Sequence, residues 1–213
     1  MSNHPILIKK LALMSVGVAM MMILVTSAKA EEHVIRRHTF DPADVTEIDI
    51  SKSVGGIEVV PVFGTQMRIT VEIEARERGW FRRHADVVDM DVSVRERGNA
   101  LYLAFDEKHA TAEWLIEMPA VAYTTINMGV GELDIDIGAT ELDIDLGVGD
   151  VNIHASERSV GRIKLDVAVG EAGVRGGEII EHDTAFISQS IRAEGKGRHD
   201  INVGVGEAGV RRN

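Results

Sequence analysis

The sequence predicts an all-β protein, a β-solenoid or β-helix-like stack of short strands joined by glycine corners, with an antiparallel β-sandwich or meander as the alternative. Three observations predict it. Apolar and polar residues alternate with period two through nearly the whole chain beyond residue 31, and no convincing helical stripe interrupts them. Glycine is plentiful, at 21 residues, whereas prolines number four and aromatic residues make up 4%, so aliphatic strands closed by tight glycine turns carry the core. From residue 120 onward the alternation falls into a repeat of nine residues.

The first thirty residues stand apart. Lys9 and Lys10 precede an apolar run from Leu11 to Ser27, and Ala28-Lys29-Ala30 is a small-x-small cleavage signature. This is the pattern of a secretory signal peptide, so residues 1–30 are excluded from the fold. The chain is exported, to the periplasm or to the cell surface and beyond, and a membrane is a partner only if the segment stays uncleaved. Residues 31–39 form an N-terminal lead, and 40–213 a single all-β domain with its repeat region at 120–213. There is no cysteine, which excludes disulfides, thiolate metal sites and thiol catalysis. Removing the segment leaves 183 residues, enough for one core. It takes away three of the 23 basic residues and none of the 34 acidic ones, so the remainder carries 20 − 34 = −14. A nucleic acid or an anionic membrane is a poor partner for such a chain.

The elements follow in order. Val45, Ile48 and Ile50 lead into Ser53-Val54-Gly55-Gly56, and Ile57 and Val59 follow, which reads as a hairpin with a glycine turn. Pro61 marks a strand end or an edge. Residues 67–75 alternate Met67, Ile69, Val71, Ile73 and Ala75 against Arg68, Thr70, Glu72 and Glu74. Strands are likewise predicted over 88–94 (Val88, Met90, Val92, Val94), 99–105 (Leu101, Leu103, Phe105) and 113–119 (Trp114, Ile116, Met118, then Pro119).

Nine-residue units then start at Ala120, Gly129, Gly138 and Gly147, and after three extra residues at Ser159 and Ala168; Gly195 and Gly204 fall in the same frame. Positions five, seven and nine of a unit are mostly apolar, and four, six and eight mostly polar. Each unit is one short strand plus a corner where glycine meets a positive φ or a close backbone. The stretch 161–175 nearly recurs at 197–211, four nines later, while neither period is clean over 177–194. Two nines make a possible coil of eighteen residues, stacked at about 4.8 Å, the ordinary strand spacing.

Five stretches of the chain carry a family resemblance: "FDPADVTEIDISKSVGGIEVVPV", "MRITVEIEA", "VDMDVSVRERGNALYLAF", "EWLIEMP" and the tandem "GVGELDIDIGATELDIDLGVGDVNI". In that order, from about Phe40 to the C-terminus, they resemble the putative adhesin domain family of bacterial envelope proteins, a class of largely unknown function. The resemblance implies an all-β, helix-like stack of strands outside the cytoplasm, and it carries over no functional residue.

The candidate sites are three. The acidic run Glu132, Asp134, Asp136, Glu141, Asp143, Asp145 and Asp150 suggests either the wet face of stacked strands or calcium. Glycine-led nonapeptides do bind calcium in secreted toxins, but here the paired first glycines are absent and the strand is longer, leaving few carbonyls for a six-to-eight-oxygen shell. Stacking by eighteen sets Glu132 beside Asp150, Asp134 beside Asn152 and Asp136 beside His154. It also sets Glu141 beside Arg162, Asp143 beside Lys164 and Asp145 beside Asp166. A like-charged neighbour costs a few tenths to about 1 kcal/mol, which two such pairs tolerate without metal. The reading is a solvent face with no dedicated metal; the calcium alternative would use Glu132 with Asp150 and Asp145 with Asp166. Second, Arg76, Arg78, Arg82 and Arg83 surround Trp80 and Phe81, a contact site for an anionic polymer, lipid head groups or a protein if the loop is more than a solvated connection. Third, the histidines show no zinc spacing.

No nucleophile elbow, phosphate loop or dinucleotide fingerprint is present. The function expected is therefore that of an exported, non-enzymatic envelope protein, a binding, adhesin-like or structural module without cofactor, whose partner is an envelope polymer or protein. The alternatives are a carbohydrate-active enzyme on a β-helix and a periplasmic partner in envelope stress or signalling.

Overall fold

The computed structural model describes residues 33–41, 45–78, 83–84, 86–137, 140–156, 158–176, 181–185, 188–192 and 197–212. The described residues contain strands and turns and no helix. In chain order the strands are β1 (His33–Phe40), β2 (Glu47–Pro61), β3 (Met67–Ala75), β4 (Glu77–Arg78), β5 (Arg83–His84), β6 (Ser93–Arg97), β7 (Ala100–Phe105) and β8 (Ala110–Met118). The repeat region adds β9 (Tyr123–Ile137), β10 (Glu141–Ala155), β11 (Val160–Arg175), β12 (Glu181–Ala185), β13 (Ser188–Arg192) and β14 (Gly197–Arg212). All but the small β4–β5 hairpin join one mixed, open sheet.

Five long strands form its centre, side by side and parallel in the order β2, β9, β10, β14, β11. Tyr123 lies opposite Glu141 and Ile135 opposite Ile153, the offset of eighteen expected from the nine-residue frame. Each strand is kinked midway at a glycine with positive φ: Gly55, Gly131, Gly149, Gly206 and Gly170. The kink divides it into two arms. In β2 the first arm pairs with β7 and the second with β8. Antiparallel pairing is confined to the flanks, where β1 and β3 extend the sheet beyond β8, β6 lies beside β7, and β13 and β12 lie beyond the first arm of β11.

The alternation seen in the sequence sets the core. Ile48, Ile50, Ile57 and Val59 of β2, Leu142, Ile144, Leu146, Val151 and Ile153 of β10, and their neighbours across the sheet are buried as one continuous cluster. At about 25 cal/mol per Å2 of apolar surface, such aliphatic ladders are the main stabilising term in a chain that has no disulfide.

The kink glycines stand in a row. A Cβ on Gly131 would lie 1.7 Å from the Gly55 carbonyl oxygen, one on Gly149 1.8 Å from that of Gly131, and one on Gly206 1.8 Å from that of Gly149. The corners therefore nest backbone on backbone, and the glycine of the repeat answers both to φ and to the next strand's approach.

Three sequence expectations are corrected. Residues 53–56 make no hairpin: β2 runs on through Gly55, whose φ of 131° bends the strand without reversing it, and both arms find parallel partners elsewhere. The strand expected over 88–94 begins at Ser93, because Val88 and Asp89 form a turn closed by Met90 N–H donating to the Val87 carbonyl. Finally, β10 does not lie against β11. The C-terminal strand β14 is inserted between them, placing Asp143 beside Asp200 and Asp145 beside Asn202.

That inserted strand carries His199 into the core, opposite Leu142 and Ile163 and 1% exposed. Burial pushes its pKa down to about 4, against a smaller opposing pull from the Ser159 backbone and Asp200. With the folded value below the unfolded one, protons favour the unfolded chain as pH falls from about 6.5 to about 4. His199→Leu is expected to leave neutral-pH stability within about 1 kcal/mol and to recover roughly 3 kcal/mol near pH 4. Urea midpoints across that range check it; parallel curves for variant and wild type would remove His199 from the acid response.

Candidate functional site

The parallel stack turns a repeat in sequence into rows in space. Across the first arms, outward-facing residues line up as Ser51, Asn127, Asp145, Asn202 and Asp166, one per strand. Two residues further along each strand the row is Ser53, Gly129, Gly147, Gly204 and Ala168. There the backbones approach so closely that a Cβ on Gly147 would lie 2.5 Å from the Gly129 carbonyl oxygen. The near absence of side chains in this row leaves an open trough of about 900 Å3, floored by glycine and edged by the Ser/Asn/Asp row. Beyond the floor, at the kink, Val130, Val148, Val205 and Val169 form an exposed apolar ridge, 46–62% accessible, on neighbouring strands.

The polar row is ordered from within. Asn202 Nδ2 donates to Asp145 Oδ1 at 3.0 Å, and Lys164 Nζ donates to Asp166 Oδ2. The hydrogen bond and charge of Asp166 hold the Lys164 ammonium above its usual pKa. One row outward, Arg198 Nε donates to Asp200 Oδ2 at 2.8 Å, and Tyr123 Oη donates to Asp143 Oδ2 at 3.2 Å. Burial first, then Asp143, raises the Tyr123 hydroxyl above its usual value. The result is a rigid line of amide, hydroxyl and carboxylate groups spaced at about 4.8 Å, able to donate and accept along a chain-like ligand.

The acids proposed as a calcium alternative are not assembled in one place. Glu132 and Asp150 are neighbours on β9 and β10, but Asp150 Oδ1 already accepts the Glu207 N–H at 3.0 Å. Asp145 and Asp166 are separated by Asn202 on β14. The second-arm acids do form a longer row than the sequence suggested, because β14 adds Glu207 between Asp150 and Glu171. Among the described residues no group of three or more His, Cys, Asp or Glu could hold a metal ion. In the arginine loop, Arg76 is exposed at the end of β3, where its N–H donates to the His109 carbonyl at 2.8 Å, and the backbones of Arg78 and Arg83 pair across β4–β5. Trp80, Phe81 and Arg82 lie outside the described residues.

Sequence reasoning passed over Lys52, the group of the stack whose protonation is furthest from ordinary behaviour alongside His199. It is 4% exposed, and its Nζ donates to the Gly56 carbonyl at 2.5 Å and sits 5.9 Å from the Trp114 ring centroid. Burial pulls its pKa down to about 7, with the Glu113 carboxylate partly opposing. The signal was present: Lys52 shares the inward phase of Ile48 and Ile50, as His199 shares that of Ile201 and Val203.

No protein-family model and no curated protein matches the chain. Among solved structures it is similar to a putative cell adhesion protein from Clostridium sporogenes ATCC 15579, with a TM-score of 0.53 at 12% identity over 85% of this chain and 100% of that one. Putative adhesins from Bacteroides fragilis (12% identity, 84% of this chain and 97% of that one) and Parabacteroides merdae (10% identity, 85% and 96%) align with TM-scores of 0.33. With the Clostridium protein the chain shares a fold.

Proposed function

We propose that the chain is an exported, non-enzymatic binding module of the bacterial envelope, a β-solenoid of eighteen-residue coils whose outer trough holds a polyhydroxylated polymer. The observation that carries this is the row Ser51, Asn127, Asp145, Asn202 and Asp166 beside its glycine floor. The eighteen-residue offset between β9 and β10, crossed by the three residues 138–140, supports a closed coil. Export rests on the signal pattern of residues 1–30, and a single domain on the continuous core, which takes in Val34 of β1, within the stretch first read as an N-terminal lead, as well as the repeat region. The name of the Clostridium protein supports an adhesin-like role. A non-enzymatic role is supported by the burial of Lys52 and His199, which are only 4% and 1% exposed.

The partner is proposed to be an uncharged glycan, since flat floors with amide and carboxylate edges satisfy hydroxyls without needing opposite charge. The loop of Arg76, Arg78, Trp80, Phe81, Arg82 and Arg83 is proposed as a second contact for anionic groups on the same envelope material. Retention on a panel of envelope polysaccharides is expected to fall at least about tenfold for Asn127→Leu with Asn202→Leu, roughly the 1.4 kcal/mol of one or two lost hydrogen bonds, at unchanged Tm. Trp80→Ala with Arg82→Ala is expected to weaken retention on anionic members alone. Equal retention of the trough variant would sink the trough reading, and new reducing ends released from any polymer would make the protein a glycosidase instead.

A further inference from the structure

The second arm of β11 is a sheet edge of unusual composition. Val169–Arg175 pairs with β14 on one side. On the other, β13 covers Arg162–Asp166 of the first arm, and among the described residues no strand pairs with 169–175. Exposed edges are ordinarily blunted by charge, brevity or cover. The others here follow that rule. Arg36 of β1 donates through Nε to the Met90 carbonyl at 2.9 Å, and His38 bonds Asp91 at 2.8 Å, so the 86–92 loop folds against that edge. β6 reads Ser-Val-Arg-Glu-Arg, and β12 is five residues beginning Glu-His-Asp. Among the described residues the second arm of β11 has no cover, nor is it short, and Ala172 and Val174, on its core side, are packed against the hydrophobic cluster yet remain only partly buried.

Its sequence, Val-Gly-Glu-Ala-Gly-Val-Arg, is identical to residues 205–211 of β14. In the fold these two copies already pair with each other, residue on equivalent residue from Val169 with Val205 to Arg175 with Arg211. The copy in β14 is paired at both edges, by β10 and by β11, whereas the copy in β11 is paired at one. Within the molecule the segment thus already takes its own sequence as a strand partner, in parallel.

We propose that β11 is a homodimerisation edge: Glu171–Arg175 of one molecule pairs antiparallel with the same segment of a second copy, centred on Gly173. A two-fold axis normal to the sheet sets the register. Centring on Gly173 puts Glu171 opposite Arg175 of the second copy and Arg175 opposite its Glu171, two charge-complementary cross-strand pairs on the outer face. Ala172 then meets the second copy's Val174 on the inner face, continuing the apolar layer across the junction. Gly173 lies opposite Gly173 with open space around it: a Cβ there meets nothing within 4 Å. No φ between +20° and +160° is found at Gly173, so neither strain nor crowding within the chain accounts for glycine at this point of the strand. At the centre of the proposed junction glycine leaves no side-chain pair to be accommodated on the two-fold axis.

The same arrangement supplies its own controls. Within the chain Glu171 stands beside Glu207 and Arg175 beside Arg211, so Glu171→Arg or Arg175→Glu replaces a like-charged neighbour by an opposite one and leaves the fold intact or firmer. Between molecules each single change sets like charge against like. Light scattering or sedimentation is expected to show the wild-type mass doubling as concentration rises through the micromolar range, the monomer mass for either single variant, and the doubled mass again for the combined Glu171→Arg, Arg175→Glu exchange, all with a melting temperature at or above wild type. Because the chain has no cysteine, Gly173→Cys gives an independent reading. Directly opposed Cα atoms at about 4.5–5.5 Å fall within disulfide reach, so mild oxidation should link nearly all of the dimer, whereas Glu171→Cys, facing position 175, should link little of it. A wild type that keeps the monomer mass up to roughly 1 mM, single charge variants that still dimerise, or cross-linking stronger at 171 than at 173 would each overturn the proposal.

Discussion

Gly149→Ala is expected to cost the protein at least about 3 kcal/mol, a large part of the stability of an ordinary domain. Two terms add. A φ of 137° puts an L side chain in strain of about 1–2 kcal/mol. The new Cβ would also sit 1.8 Å from the Gly131 carbonyl oxygen, which is backbone fixed in the next strand and has no rotamer through which to retreat. Relief requires the two corners to separate, and with them the ladder on either side. Gly173→Ala is the matched control. It lies in the same sheet with open space around it, and removing a strand glycine there should be neutral or stabilising by up to about 0.5–1 kcal/mol. Urea melts of dilute protein compare the two. Equal losses would mean that the kink glycines serve generic strand flexibility, and that their nesting contributes little.

Lys52→Met is expected to stabilise the protein at neutral pH, which few substitutions of a buried residue do. Its folded pKa, pulled down to about 7 by burial, lies below the ordinary value of 10.5. The unfolded chain therefore binds the proton more readily, and the folded state loses stability as pH falls from about 10.5 to about 7, after which the penalty is constant. At pH 7, where about half of the folded chains hold the proton, the penalty is roughly 4 kcal/mol. Methionine removes that penalty and leaves the Gly56 carbonyl without its donor, at about 1–3 kcal/mol, so a net gain of about 1–3 kcal/mol is expected at pH 7. The gain should vanish or reverse near pH 10, where wild-type Lys52 folds uncharged. A loss at pH 7 would show that the nearby Glu113 and Trp114 stabilise the ammonium by more than its burial costs.

Most of the architecture was legible because period-two alternation is a direct image of which side chain faces the core. The burial of Ile144, Ile153, Leu165 and Val203 follows from it, and the offset of eighteen between β9 and β10 follows from the glycine spacing. Two things were hidden. At 53–56 a glycine pair that commonly reverses a chain bends it instead, and the choice belongs to the parallel partners β7, β8 and β9, far away in sequence. In the repeat, spacing fixes register modulo eighteen residues, yet does not say which strand occupies which rung. Because 169–175 and 205–211 are the same heptapeptide, either satisfies β10 locally, and the predicted contacts of Asp143 with Lys164 and Asp145 with Asp166 were each displaced by one strand. The trough was half legible: its glycines were read as corners, but its polar row became a row only once β14 supplied Asn202.

The place of β14 also sets an order of events. Chains emerge N-terminus first, and β10 and β11 are complete before the strand that separates them exists. Until residues 197–212 arrive, the nascent sheet holds two long unpaired edges whose best available partners are each other, in the register that each later takes against β14. Correct assembly must either keep that slot open or reopen it. The two copies of Val-Gly-Glu-Ala-Gly-Val-Arg are therefore competitors during folding as well as neighbours after it, and slow maturation through a mispaired intermediate is the characteristic failure this topology invites.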